Sequence, residues 1–540
     1  MRKPDLPKPA AALAALVLLA LPDATLAGPS AAREFEKWFG RYKARRVDLY
    51  QAVESGYAVR TDEGGVRVEY YQSEGLREFD RLLEGLKAEG GERAARLLLD
   101  AAVHVLDRDP DGERRRFVAQ QPWIVRRRAA DTLGALEGDD VREYLRRTAL
   151  RDHSPLDGES RRRVAAEALG TMRDEASVEA LASRLADDEA VPVRSAAAAA
   201  LGRVGGAPAR EALEAALADP DPAVRLEALV ALDRRADAAT DDETASAARL
   251  AAARRLLADP AWSIRLAAAR LLGEHRDPES VPALLAALLR EVPAEEGTRR
   301  RVRSAIRDAL GRLTGEDFPA TRPDEWVAWW SEHAPTFDLE ETGDGPAIAP
   351  EQGARFFGIP VEADEVVFLV DVSGSMERSA TGAPSGPSRL FVATRELRRC
   401  LESLEDGTRF NVILFHERIV PFRTEPVEKT AETVAEARAF VEGAEPQGGT
   451  NLFGALEFVL GRDDERTARL IGRDLDTVVL LTDGKPSRGA ILVPDEILHQ
   501  VEERTRGRRI AIHTVTAGVP DPFLERLARR NFGEHASLGD

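Results

Sequence analysis

Val366-Val367-Phe368-Leu369-Val370-Asp371-Val372-Ser373-Gly374-Ser375 is the stretch that decides how the C-terminal third of this chain folds. An unbroken apolar, β-branched run reads as a central parallel strand buried on both faces. It then gives way to Asp, Ser, Gly and Ser, so the strand ends on polar side chains. Thr408 to Val420, Thr477 to Leu481 and Arg509 to Val515 read as further strands of the same kind. Helical patterns lie between and after them at Leu390 to Leu404, Thr430 to Glu442, Leu452 to Leu460, Asp495 to Arg506 and Pro522 to Arg530. Such alternation predicts an α/β doubly wound, Rossmann-like parallel sheet over residues 364–540. Ligands of these sheets bind beyond the carboxyl ends of the strands.

The polar residues collect at that edge. Asp371, Ser373 and Ser375 occupy alternate positions of a turning segment, and Gly374 lets the backbone bend around a ligand. Gly448-Gly449-Thr450-Asn451 offers a hydroxyl just before a helix, and Leu481-Thr482-Asp483-Gly484 places a carboxylate at another strand end. The collected donors are carboxylate and hydroxyl oxygens, without His or Cys. Such a set suits a hard divalent cation, Mg²⁺ or Mn²⁺ and less readily Ca²⁺.

Asp371-Val372-Ser373-Gly374-Ser375 resembles the Asp-x-Ser-x-Ser signature of von Willebrand factor A domains, and Thr450 and Asp483 match that family's second and third metal loops. The resemblance implies a metal-ion-dependent adhesion site (MIDAS). Ser373, Ser375 and Thr450 would bind the ion through their hydroxyls, and Asp371 and Asp483 directly or through water. An acidic side chain of a protein partner would complete the octahedron. One departure stands out: Glu377 to Arg389 is longer than the connection many members use, and it lies beside the metal loops. The residues after Phe532-Gly533-Glu534-His535 leave little length for a final edge strand.

Upstream the sequence repeats itself. A block opening with Val-Arg or a close variant ends at Gly134, Gly170, Gly202, Asp233, Gly273 and Gly311, so successive intervals are 36, 32, 31, 40 and 38 residues. Ser177 to Leu185, Ala209 to Leu217 and Ser280 to Leu289 supply second helices, joined through turns such as Asp219-Pro220-Asp221-Pro222 and Asp259-Pro260. Neither helix of a pair buries its stripe alone, so pairs stack into a shared core. The pattern resembles HEAT-type repeats of the short PBS-lyase-like kind and predicts an α-helical solenoid. One arginine per repeat (Arg126, Arg194, Arg225, Arg265, Arg303) is expected to pair with the Asp of a neighbouring turn. Trp326, Trp329 and Trp330 are expected to be core, capping the array.

The chain therefore reads as multidomain. Residues 1–27 form a signal peptide, 28–120 a helical N-terminal region, 121–333 the repeats with their Trp-rich cap, 334–363 a linker and 364–540 the sheet domain. Within Phe35, Trp38, Phe39 and Tyr42 the period is helical, while Val66 to Tyr70 reads as a short β-like interruption. Arg2, Lys3 and Lys8 precede an apolar run from Ala10 to Leu21, and Thr25-Leu26-Ala27 offers cleavage after Ala27. An exported protein, periplasmic or extracellular, is expected, with an uncleaved anchor as the alternative and no transmembrane helix in the mature chain. The net charge of −18 argues against a sequence-independent grip on nucleic acid. Seven of the 76 basic residues are lysine, a bias of GC-rich bacterial coding. The single cysteine, Cys400, excludes an intramolecular disulfide and is expected to be a buried structural thiol.

These features point to a non-enzymatic, exported protein-binding protein, its metal site capturing an acidic group and its repeats offering a second surface. A metal-dependent hydrolase is the weaker reading, since the eight histidines are scattered and no nucleophile elbow or phosphate loop appears. A subunit serving a metal chelatase or AAA-type ATPase is the other alternative, and the leader counts against it.

Overall fold

In the computed structural model the described residues are 30–43, 57–60, 66–69, 74–104, 120–236, 243–275, 277–292, 299–337, 353–381, 383, 385–461, 475–483, 486–489, 491–506, 508–518 and 521–538. The leader expected at 1–27 lies outside them. Among the described residues no helix is long and apolar enough to cross a membrane.

Among the described residues the N-terminal part is helical apart from one antiparallel pair, β1 (Tyr57–Arg60) against β2 (Val66–Glu69), where the β-like interruption was expected. Its helices are α1 (Ala31–Lys43), α2 (Glu74–Glu89), α3 (Gly91–Val103), α4 (Gln120–Gly134), α5 (Asp139–Arg147), α6 (Gly158–Thr171), α7 (Val178–Asp187) and α8 (Val191–Val204). They continue as α9 (Ala207–Ala216), α10 (Pro222–Ala236), α11 (Glu243–Leu256), α12 (Trp262–Glu274), α13 (Ser280–Glu291), α14 (Arg300–Thr314) and α15 (Pro323–His333). The Val-Arg blocks become the even-numbered helices from α4 to α14, stacked side by side. A single apolar core runs from Ala32 to Trp326, so the aromatic helix α1 and the repeats share one interior.

Close stacking requires small residues. A Cβ on Gly170 would lie 2.6 Å from Ala200 Cα, and one on Gly202 would lie 2.7 Å from Ala231 Cβ. Gly170→Ala is therefore expected to destabilise by about 1–3 kcal/mol through overpacking, despite its better helix propensity. A urea midpoint unchanged from wild type would show that the layers have room.

Arginines tie the turns together. Arg162 forks onto Asp188 at 2.7 and 2.9 Å, Arg194 onto Asp219 at 2.9 and 3.1 Å, and Arg225 onto Asp259 at 2.9 and 2.8 Å. Arg265 departs from the expected turn aspartate and reaches Glu291, the last residue of α13, at 2.6 Å. Each also donates through Nη1 to a turn carbonyl, as Arg194 does to Asp188 O. The two ends of the row differ from expectation: Arg126 donates to the His104 carbonyl, and Arg303 faces Glu405 at 3.8 Å in the C-terminal lobe. The tryptophans also divide. Trp326 is core and Trp330, one turn on along the same face of α15, packs half-buried against that core, whereas Trp329 is half-buried on the neighbouring face and stacks on His333.

The C-terminal lobe is the expected doubly wound sheet, in the order β11-β10-β9-β5-β6-β7 with β8 also on β6. Its central strands are β5 (Glu365–Asp371), β6 (Arg409–Phe415), β9 (Thr477–Thr482) and β10 (Ala511–Thr516), all parallel. The helices α16 (Arg389–Ser403), α17 (Ala431–Glu442), α18 (Leu452–Leu460), α19 (Pro494–Thr505) and α20 (Pro522–Arg530) cover its two faces over separate cores. Cys400 is buried in one of them, and burial pushes its thiol well above the usual range.

Three expectations are corrected here. Thr408 to Val420 is not one strand: the polar His416-Glu417-Arg418 makes a turn, and β7 (Ile419–Pro421) returns antiparallel on β6, with β8 (Val427–Glu428) beyond it. A final edge strand does form, β11 (His535–Ser537), paired parallel with β10. The last part of the 334–363 linker is packed rather than loose. There β3 (Arg355–Phe356) and β4 (Ile359–Pro360) make a hairpin, and Phe356 sits 5.8 Å from the Phe368 ring.

The array holds the lobe from the edge opposite the strands' carboxyl ends. Arg300 donates to Ala363 O at 3.0 Å, Thr408 Oγ1 at 2.6 Å and Asp406 O at 2.6 Å. Arg301, buried, donates through Nη1 to Asp476 O at 2.6 Å and Arg509 O at 2.8 Å. These acceptors all lie within three residues of the start of a strand. Farther along, Arg163 meets Glu503 at 3.4 Å and Arg506 meets Glu167 at 3.3 Å. Part of the array's surface is thus occupied by the lobe itself, and the contacts at Arg300 and Arg301 lie at the edge opposite the strands' carboxyl ends.

Candidate metal centre

Parallel pairing of β5 between β6 and β9 brings three loops to one edge. The loop after β5 is pinned on both sides: Val372 N donates to Phe415 O at 2.8 Å, Gln447 N to Val372 O at 2.9 Å and Gly374 N to Gly448 O at 3.1 Å. The loop before α18 is held by the third, because Thr450 N donates to Ser487 Oγ at 2.9 Å and Ser487 N to Thr450 O at 3.0 Å. Asn451 caps α18 by accepting from Gly454 N at 3.0 Å.

Asp371 is wholly buried at the end of β5. Its Oδ1 accepts from Ser373 N at 2.8 Å and its Oδ2 from the Thr482 hydroxyl at 2.6 Å, which fixes the carboxylate plane. Burial pushes this carboxyl up to about 6, even though those hydrogen bonds lower it. The Ser373 and Ser375 hydroxyls lie 3.1 Å apart, and Thr450 is buried in the second loop. Asp483 follows β9; its Oδ1 is buried without a hydrogen-bond partner, and its Oδ2 lies 3.5 Å from Arg389 Nη1. All five residues therefore lie at one edge of the sheet, Asp371 as the last residue of β5 and the other four on the loops.

The donor set fits a hard divalent cation. A buried carboxylate oxygen without a donor, and a second carboxyl whose charged form burial disfavours, are groups that a cation stabilises. Among the described residues no cluster of three or more His, Cys, Asp or Glu could hold a metal. The site thus supplies two carboxylates with hydroxyls, the oxygen donors that a hard divalent cation takes.

Sequence reading missed Thr482, Ser487, Arg389 and Glu417. Glu417 accepts from Gly449 N at 3.3 Å and from Arg488 Nε at 3.0 Å, bracing the second loop. Thr482 adjoins Asp483 in sequence, but only the β5–β9 register sets it against Asp371. His513 lies elsewhere, lining a 410 Å³ polar cavity between array and lobe, where burial pushes it down to about 3. It is neutral and remote in chain position from the three loops.

Residues 364–535 match the von Willebrand factor type A domain family. The C-terminal lobe is a von Willebrand factor type A domain. HEAT repeats match over 115–202 and 157–233, and a PBS lyase HEAT-like repeat over 264–290. Human inter-alpha-trypsin inhibitor heavy chain H4 is 31% identical over 207 residues, 36% of this chain and 21% of that protein. Human von Willebrand factor A domain-containing protein 3A is 29% identical over 198 residues, 34% of this chain and 14% of that one. The chain thus spans about a fifth or less of these relatives' length. A solved von Willebrand factor type A protein from Catenulispora acidiphila is 19% identical, with a TM-score of 0.26, covering 32% of this chain and 38% of that one.

Proposed function

We propose that this protein is an exported, non-enzymatic binding protein whose von Willebrand factor A domain holds Mg²⁺ or Mn²⁺ and captures an acidic side chain of a protein partner. The observation that carries the reading is the convergence of Asp371, Ser373, Ser375, Thr450 and Asp483 on one sheet edge, with a buried Asp483 oxygen lacking a donor. Ser373, Ser375 and Thr450 would bind through hydroxyls, and Asp371 and Asp483 directly or through water. A bound ion would supply a Lewis-acidic docking point for a carboxylate, and the five residues named would hold it at the sheet edge.

Export is proposed from the charged leader and the apolar run at 10–21, with cleavage after Ala27. The repeats serve first as the cradle of the domain, and their remaining surface is proposed as a second contact for the partner. The site lies at the edge opposite the Arg300 and Arg301 contacts, which favours an adhesive role for it.

Affinity capture from native extract with Mg²⁺ or EDTA, using wild type and Asp371→Ala, tests the reading. Partners retained by wild type with Mg²⁺, and lost in the other three arms, are expected. The same recovered proteins in all four arms would overturn metal-dependent adhesion.

A further inference from the structure

Arg389 is the first residue of α16, and its backbone N–H donates to Arg378 O at 2.9 Å, closing the long 377–389 loop. That loop folds on itself through a bridge between Ser379 and Ser388, and the Ser388 hydroxyl caps the helix by accepting from Phe391 N. The guanidinium is thereby delivered to the metal loops from a rigid base. A seat is made for it at Gly518, with φ +131°, where a Cβ would fall 2.5 Å from Arg389 Nη2. No side chain fits there while the arginine is in place.

The contact it makes is incomplete. Nη1 lies 3.5 Å from Asp483 Oδ2, at the outer limit of a hydrogen bond, with the two side chains only 15% and 10% exposed. Arg389 Nε and Asp483 Oδ1 are both buried without a hydrogen-bond partner. A bidentate fork would have satisfied both, so this pair falls short of the strongest geometry available to it. Each member of such a pair stays available to a better counter-charge.

We propose that Arg389 is a built-in competitor of the metal, holding Asp483 until an acidic guest arrives and then pairing with that guest's carboxylate. The inference rests on the metal-site reading above. A fixed positive charge beside a divalent ion lowers the ion's affinity, and a carboxylate arriving between them offsets part of that repulsion. Metal and guest are then linked, each raising the other's affinity by the same factor. The site is specific for acidic guests because only these release the arginine from Asp483.

Calorimetric titration of Mn²⁺ into the full chain, with and without acetate as the carboxylate probe, tests this. Arg389→Gln is expected to bind Mn²⁺ about tenfold more tightly than wild type without acetate, the effect of removing one charge at short range in a partly solvated site. Acetate is expected to tighten Mn²⁺ binding in wild type and to do so less in the variant. Arg389→Lys, which keeps the charge, should stay within about threefold of wild type. Arg389→Met repeats the neutral arm should the glutamine variant not fold. Mn²⁺ binding by wild type with no tightening in either neutral variant overturns the role of Arg389. Absence of Mn²⁺ binding in wild type and all variants overturns the metal centre itself.

Discussion

Magnesium added to the full chain at neutral pH is expected to raise its melting temperature, and Asp371→Asn to abolish that rise while leaving the metal-free protein at least as stable as wild type. The asymmetry follows from the environment of one carboxyl. Asp371 is wholly buried, and desolvation pushes its carboxyl from 3.8 up to about 6 despite hydrogen bonds from Thr482 and Ser373. The folded chain therefore holds this proton more tightly than the unfolded chain. Its contribution to stability is present below about pH 4 and is lost as pH rises through about 6, a loss on the order of 3 kcal/mol. A neutral amide of the same shape avoids that cost but offers the ion no charge. Binding restores stability in wild type by about 2.7 kcal/mol at a hundredfold excess of ion over its Kd. Scanning calorimetry of both proteins with Mg²⁺ and with EDTA gives the answer. A rise that survives in Asp371→Asn would remove Asp371 from the ligand set.

Arg301→Ala is expected to cost about 3–5 kcal/mol and to split one melting transition into two. Arg301 is buried between array and lobe, and its Nη1 satisfies both Asp476 O and Arg509 O. Burial pushes the Asp476 carboxyl up to about 6 even with this guanidinium beside it. Truncation leaves two carbonyls without their donor and a carboxyl without its cation, the situation in which breaking a buried polar contact is most costly. The von Willebrand factor A domain retains its own two cores, so it is expected to melt separately once the clamp is gone. A single transition, shifted by less than a degree, would show that Arg300 and the outer ion pairs suffice.

Much of this architecture was legible in local pattern. The repeat period of the Val-Arg blocks and the Asp-Pro turns specified a solenoid, because each helix pair must share its apolar stripe with the next. The Asp371, Thr450 and Asp483 loops were visible because each borders an apolar run or opens a helix, a property of neighbouring residues. The return strand β7 was hidden for the opposite reason: Ile419 and Val420 are apolar, and only the pairing of Ile419 with Phe415 reveals the turn between them.

What the sequence by itself determined is thus the class of each lobe and the five oxygen-bearing residues at the strand ends. The tertiary structure alone decided which other residues meet them. Thr482 reaches Asp371 through strand register, Ser487 reaches Thr450 through loop packing, and Arg389 reaches Asp483 across the space left by Gly518. It also decided that the array grips the opposite edge, leaving the site edge clear of that grip. Periodicity encodes which face of an element is apolar, whereas these contacts depend on strand order and docking between elements far apart in the chain.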